Sequence, residues 1–282
     1  AAMQRLQPDV VVHLAAATAG APTMRAEPTR YFAANLAAST PLAVALERGL
    51  CGRVVLAHSA GAYPRPAAIG RADGALQPGD LWRGPPAAGA YGVARRAVGA
   101  LLEAACSVGD VALIELVLPT VYGPGDGGDQ VDPAGLRAVP AFGLRYLDAV
   151  AQGQGEVDHF GSGFEVRDFL HVDDAVRAFV AATTMALHPA GPTRLHVSDG
   201  EPVRMEQVAT RLAAAAGFVG TTTWRHRSDG MTASDDAVVL APAHLDALGV
   251  TPEIGLEDGL RGVVDDLRAR LRRHLVGGAK GA

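Results

Sequence analysis

The sequence predicts an α/β protein: a parallel sheet wound with helices, followed by a smaller mixed part. Three observations predict it. Short β-branched and apolar runs recur at 9–17, 52–60 and 111–125, the pattern of strands buried on both faces. Between them, 28–49 and 89–109 are longer stretches that read as helices. After Gly125 the alternation gives way to "GDGGDQVDPAG", which is acidic and loop-like.

The elements follow in order. "AAMQRL" is the end of a helix, and "DVVVHLAAA" is the first strand. In "PTRYFAANLAASTPLAVALERG" Pro28 suits a first helical turn and Gly49 a C-terminal stop, while Pro41 predicts a kink or break. "GRVVLAHSA" is the second strand, and 61–88 is a loop rich in Gly, Pro and Ala. "GAYGVARRAVGALLEAACSVG" is a long helix with an apolar face, and "VALIELVLPTVYGPG" a third strand running into a turn. The second part has a helix at 137–152, a short strand near 156–160, the stretches 167–187 and 193–199, a helix at 204–217 and a closing amphipathic helix at 256–275. This divides the chain into a sheet part, 1–125, and a second part, 126–282, with 156–187 partly returning to the sheet. "VGGAKGA" reads as a frayed tail.

With 282 residues, nearly half of them apolar, the chain can bury a sizeable core. Its net charge is −5, and no basic stripe with interleaved aromatics points to nucleic acid. No apolar run is long enough to span a bilayer, and the N-terminus shows no signal-peptide pattern. Cys51 and Cys106 lack CxxC spacing and read as buried thiols of a cytoplasmic protein. Lys280 is the one lysine, so the chain's basic residues are otherwise arginines.

Several motifs then line up in order: "PDVVVHLAAA", Asn35 in a helix, "HSAGAYP", "YGVAR", "LPTVYGPG" and "GSGFEVRDFLHVDDAVRAF". Together they resemble the extended short-chain dehydrogenase/reductases, the NAD-dependent epimerase/dehydratase family acting on nucleotide sugars. Within it, "SAGAYP", "LPTVYGP" and "RDFLHVDD" are most similar to the GDP-L-fucose synthases, with deoxysugar 4-ketoreductases near. The resemblance covers residue 8 to about 270. It implies a partial Rossmann fold with a small C-terminal substrate-binding domain, a cytoplasmic homodimer, and NADP or NAD as cofactor.

The residue types suit that chemistry. A free tyrosine has a pKa of about 10, and a cation one helical turn away, at i+4, favours its phenolate. By resemblance Tyr91 is the acid/base, Arg95 the cation and Ser59 the group that orients a sugar oxygen. The cofactor would lie against Leu14, Ala15, Ala16, Tyr91, Arg95, Leu118 and Val121. The nucleotide-diphosphate sugar would meet Asn35, Thr120, Arg137, Phe160 and Arg167. On residues alone, Tyr91 could be an aromatic at a helix start, and Arg167 a surface ion pair with Asp168 or a neighbour. Asp173 and Asp174, near His171, read as the acidic first turn of a helix and not as metal ligands.

Four departures from the family stand out. Arg95 replaces a lysine; it is longer, planar and always charged. Gly61 and Arg137 stand where fucose synthases carry an epimerising Cys and His, which favours a plain ketoreductase, dehydratase or 4-epimerase. Ala237 stands where an arginine usually grips the diphosphate. The glycine fingerprint at a helix N-terminus, which holds a dinucleotide pyrophosphate, does not appear. In the family's strand order this leaves "VVVHLAA" as an open sheet edge. The chain is then expected to be a piece of a longer product, a short protein with a covered edge, or a degenerate paralogue. Beside the enzyme stands a second reading, a non-catalytic pseudoenzyme that binds a nucleotide sugar or pairs with an intact homologue.

Overall fold

The β-branched runs form a parallel sheet whose residues alternate between two buried faces. In the computed structural model the described residues are 2–71, 75–186, 191–225, 238–242 and 245–278; Ala237 and Lys280 lie outside them. In chain order the elements are α1 (Ala2–Leu6), β1 (Val10–His13), α2 (Ala21–Ala26), α3 (Pro28–Leu46), β2 (Arg53–Ser59), β3 (Ala75–Leu76), α4 (Gly89–Gly109), β4 (Ala112–Leu118) and β5 (Thr120–Tyr122). There follow α5 (Ala138–Gln152), β6 (Glu156–Phe160), β7 (Val166–His171), α6 (Val172–Thr184), β8 (Thr193–His196), β9 (Pro202–Arg204), α7 (Met205–Ala216), β10 (Thr221–Arg225), β11 (Val239–Leu240) and α8 (Leu256–Gly278).

The main sheet has the order β1-β2-β4-β8, all parallel. Val54, Leu56 and Leu113 face α3 and α4, where they pack on Leu46, Val98 and Leu102. Val55, Ile114 and Leu116 face the other way, onto Ala178 and Ala182 of α6. This two-sided burial is why the strands read as unbroken apolar runs. β1 is an edge, with Val12 40% and Leu14 60% exposed.

α3 is one helix from Pro28 to Leu46 and does not break at Pro41. Pro41 offers no N–H to the carbonyl of Ala37, but both residues are exposed, so water can take that carbonyl. The Ser39 and Thr40 hydroxyls donate back to the carbonyls of Asn35 and Leu36. Packing along α4 supplies the rest.

The stretch 156–187 meets the sheet through α6, which packs on β1, β2 and β4. Its strands pair elsewhere: β6 with β10, and β7 with β5 and β9. The strand that joins the main sheet is β8, beyond that stretch. A further core lies among α5, α7 and α8, around Phe142, Tyr146, Leu212, Leu260 and Leu267. The His159 ring stacks on Phe142 at 3.9 Å and its Nε2 is 2.9 Å from the Tyr146 hydroxyl.

α4 sits unusually close to the turn after β2. A Cβ on Gly92 would lie 2.3 Å from the Gly61 carbonyl oxygen and 2.7 Å from Pro86 Cβ. Gly92→Ala should therefore destabilise the protein: the overpacking cost, about 1–3 kcal/mol, exceeds the roughly 1 kcal/mol that alanine gains in a helix. Urea denaturation of the two proteins checks this.

Burial, with the charge of Arg145, holds His159 down at about 4. An unfolded histidine titrates at about 6.5, so below that pH the unfolded chain binds a proton that the folded chain refuses. Stability should fall as pH drops from about 6.5 toward about 4. His159→Phe should flatten that slope, measured as urea midpoints across the window.

Candidate active site

The carboxyl ends of the parallel strands define one end of the sheet: His13 closes β1, Ser59 closes β2 and Leu118 closes β4, with Ser59 directly opposite Leu118. Ligands of open α/β sheets lie beyond that end. Leu14, Ala15 and Ala16 are exposed there, and Leu118 and Val121 are half-buried.

Ser59 and Tyr91 meet around Gly61. A Cβ placed on Gly61 would be 3.3 Å from Ser59 Oγ and 3.7 Å from the Tyr91 ring at Cε1. Ser59 Oγ accepts the Gly61 N–H at 3.1 Å, which leaves its own O–H to donate to a sugar oxygen or to Tyr91. Tyr91 stands in the first turn of α4, and the Gly92 approach brings that turn against the serine. The same Cβ would come within 2.9 Å of Ala88 Cβ, so a cysteine at position 61 would not fit without a shift.

Arg95 departs from the expected role. It is 2% exposed, and its guanidinium donates to the Ala57 carbonyl and, at 3.3 Å, to Asn35 Oδ1. Its guanidinium is spent on these two partners inside the protein. It remains a fixed positive charge behind Tyr91. Burial lowers its hold on its proton, while Tyr91 and Glu115 oppose that effect.

Asn35 is fully buried, and its Nδ2 donates to the carbonyls of Ala17 and Tyr31. It ties α3 to the segment after β1 and to Arg95. Arg137 opens α5 and is held by Asp126 at 2.8 Å, so its guanidinium is engaged away from the cavity described next.

A cavity of 490 Å³ adjoins this end of the sheet through Thr120, two residues beyond Leu118. It brings together three of the expected substrate contacts, Thr120, Phe160 and Arg167. Further walls come from Arg145, Phe142, Trp224, Glu165 and the turn Gly20–Thr23. Sequence reasoning missed these. Arg145 was detectable as a lone cation on the apolar face of α5, but nothing local links Trp224 or residues 20–23 to the same space. Arg145 lies over the Phe160 ring at 5.6 Å. Arg167 and Asp168 do not pair across the strand: Arg167 lines the cavity, while Asp168 is buried against Ser198 and the Leu240 N–H. Asp173 and Asp174 open α6, where Asp174 pairs with Arg177.

The site fits half of a dinucleotide. Ser59, Tyr91, Leu118, Val121 and the exposed residues 14–16 lie together at this end of the sheet. Among the described residues, no glycine-rich turn between a strand and a helix offers a pyrophosphate cradle. The two arginines beside aromatic rings suit a phosphate-bearing ligand with a planar base.

Residues 1–193 match the NAD dependent epimerase/dehydratase family. A putative GDP-L-fucose synthase 2 of Oryza sativa subsp. japonica is 29% identical over 278 residues, 96% of this chain and 74% of the relative. The structure of MoeE5 in complex with UDP-glucuronic acid and NAD is 27% identical, with a TM-score of 0.72 over 93% of this chain and 79% of that one. The UDP-glucose 4-epimerase of Thermotoga maritima shares the fold, with a TM-score of 0.75 at 23% identity over 96% of this chain and 82% of that one. The chain belongs to the NAD-dependent epimerase/dehydratase family.

Proposed function

We propose that this chain is the substrate-handling part of an NAD(P)-dependent nucleotide-sugar oxidoreductase, of the 4-ketoreductase kind, with NADP or NAD as cofactor. The observation that carries the reading is the meeting of Ser59 and Tyr91 around Gly61, with Arg95 buried behind. The nicotinamide supplies or takes the hydride when bound. Tyr91 Oη gives or takes the matching proton at the sugar oxygen. The Ser59 O–H holds that oxygen, and Arg95 stands one helical turn behind Tyr91 as a fixed charge. Arg145 and Arg167 hold the diphosphate, with Phe160 and Trp224 beside the base. The tight fit at Gly61 favours reduction, dehydration or 4-epimerisation over thiol-assisted 3,5-epimerisation.

Two further parts belong to the reading. The free edge of β1, with Val12 and Leu14 exposed, is suited to a strand of a longer form of the chain that carries the pyrophosphate cradle. The outer faces of α3 and α4 are apolar and small, with Val44, Val93 and Val108 exposed, which suits a homodimer packed through these helices. The two cysteines are buried and unpaired, as a reducing cytoplasm would leave them.

A second reading, a non-catalytic partner of an intact homologue, is favoured by Arg95 being turned into the core. Binding separates the two. Titration with NADPH and NADH, followed by nicotinamide fluorescence, should show binding for the enzyme, and a nucleotide 4-keto sugar should then be reduced. Tyr91→Phe should lower turnover by about 10²–10⁴-fold with little change in binding. Turnover that survives Tyr91→Phe, or no cofactor binding by the longer form, sinks the catalytic reading.

A further inference from the structure

Under the catalytic strand, α4 covers two buried polar side chains. Glu115 is 0% and His58 2% exposed, on the sheet face that α3 and α4 cover. Glu115 stands directly opposite Arg194 across β4 and β8, and Arg194 Nε donates to its Oε2 at 2.5 Å. One atom of each side chain has no hydrogen-bond partner: His58 Nε2 and Glu115 Oε1. Leaving a buried polar atom unpaired costs about 1–3 kcal/mol.

The two atoms approach the same place. A Cβ on Gly99 would be 2.9 Å from Glu115 Oε1 and 3.0 Å from His58 Nε2. Gly99 is a buried residue in the middle of α4, where glycine costs about 1 kcal/mol relative to alanine. Any larger residue would fill the gap between the two polar atoms.

Their chemistry is complementary. The Ser59 backbone N–H donates to His58 Nδ1 at 2.8 Å. A backbone N–H can only donate, so Nδ1 is bare and the neutral ring carries its proton on Nε2. Burial, together with Arg95 and Arg194, holds the ring's pKa down at about 3, so it stays neutral near pH 7. A donor N–H thus faces a carboxyl oxygen across the space that Gly99 leaves.

We propose that His58 is a positioning residue for Ser59, its Nε2–H held by Glu115 Oε1 across the Gly99 gap, directly or through one water. Arg194 fixes Glu115, Glu115 fixes the ring, and the ring receives the Ser59 N–H and so sets the serine hydroxyl opposite Tyr91. The functional part of this proposal rests on the catalytic reading of Ser59 and Tyr91.

The test is nitrogen NMR of the protein with 15N-labelled histidine, with the His58 signals assigned by their loss in His58→Asn. The expected spectrum shows His58 protonated on Nε2 and bare on Nδ1, with the Nε2–H protected from exchange. Glu115→Leu should abolish that protection and lower kcat at least about tenfold, equivalent to about 1.4 kcal/mol, with KM nearly unchanged. Glu115→Gln, which keeps an acceptor oxygen, should restore most of both. Gly99→Ala, which places a methyl in the gap, should shift the Nε2 signal. A proton on Nδ1 overturns the proposal, as does a Glu115→Leu protein whose His58 signals and kcat are unchanged. The unmodified protein's spectrum decides alone where the leucine variant does not fold. Failure of the Tyr91→Phe test overturns the catalytic reading; a wrong tautomer overturns only the role of His58.

Discussion

The close seating of α4 against the sheet is the constraint on which the rest of the site depends. It is made by what is missing from two side chains. Gly92 lets the helix start touch the Gly61 carbonyl, and Gly99 leaves space over His58 and Glu115. Because α4 carries Tyr91 in its first turn and Arg95 one turn on, its height over β2 sets the distance between the tyrosine and Ser59. Glycines inside a helix weaken it, so their presence at two contacts of one helix marks positions where approach outweighs propensity.

The arginine at position 95 shows how one extra reach changes a role without removing a charge. A lysine here would end as a compact ammonium able to turn toward a ribose. The guanidinium instead passes Tyr91 and lands between Ala57 and Asn35, which itself is fastened to Ala17 and Tyr31. The result is a rigid bridge from α4 through α3 to the end of β1. On the catalytic reading proposed above, the arginine keeps its charge but is spent on structure, so a nicotinamide would rest more on the surfaces at Leu14–Ala16 and Leu118–Val121.

Much of the sheet was legible because burial on both faces writes itself as unbroken β-branched runs, and "VVVHLAA", "RVVLAHS" and "ALIELVL" needed no long-range knowledge. The Tyr91–Arg95 spacing was legible for the same reason: both residues sit on one helix. What was not legible arises between distant segments. Asn35 carries no sign that Arg95 will consume its oxygen. Arg137 carries no sign that Asp126 will hold it, and Trp224 reaches the cavity only because β10 pairs with β6. Pro41 misled because a local rule was overridden by tertiary packing and by solvent at one carbonyl. β8 was readable as a strand, but its place beside β4 is a matter of topology.

Position 61 argues for the order in which such a site acquires its chemistry. Moving a hydride needs only one proton donor and one orienting hydroxyl at the sugar oxygen, the roles proposed for Tyr91 and Ser59. Inverting a carbon next to a carbonyl needs a further base within reach of that carbon's hydrogen. The natural place for such a base is the turn after Ser59, since that turn faces the same space as the tyrosine ring. Here the turn is spent on packing: Ala88 lies so near that even a methyl at position 61 is crowded, and the carbonyl of residue 61 is the floor on which Gly92 rests. Adding a thiol would push on the contact that brings Tyr91 to Ser59. In this chain the closeness that aligns the proton transfer and the room that a second base requires compete for the same few ångströms, and the packing favours alignment.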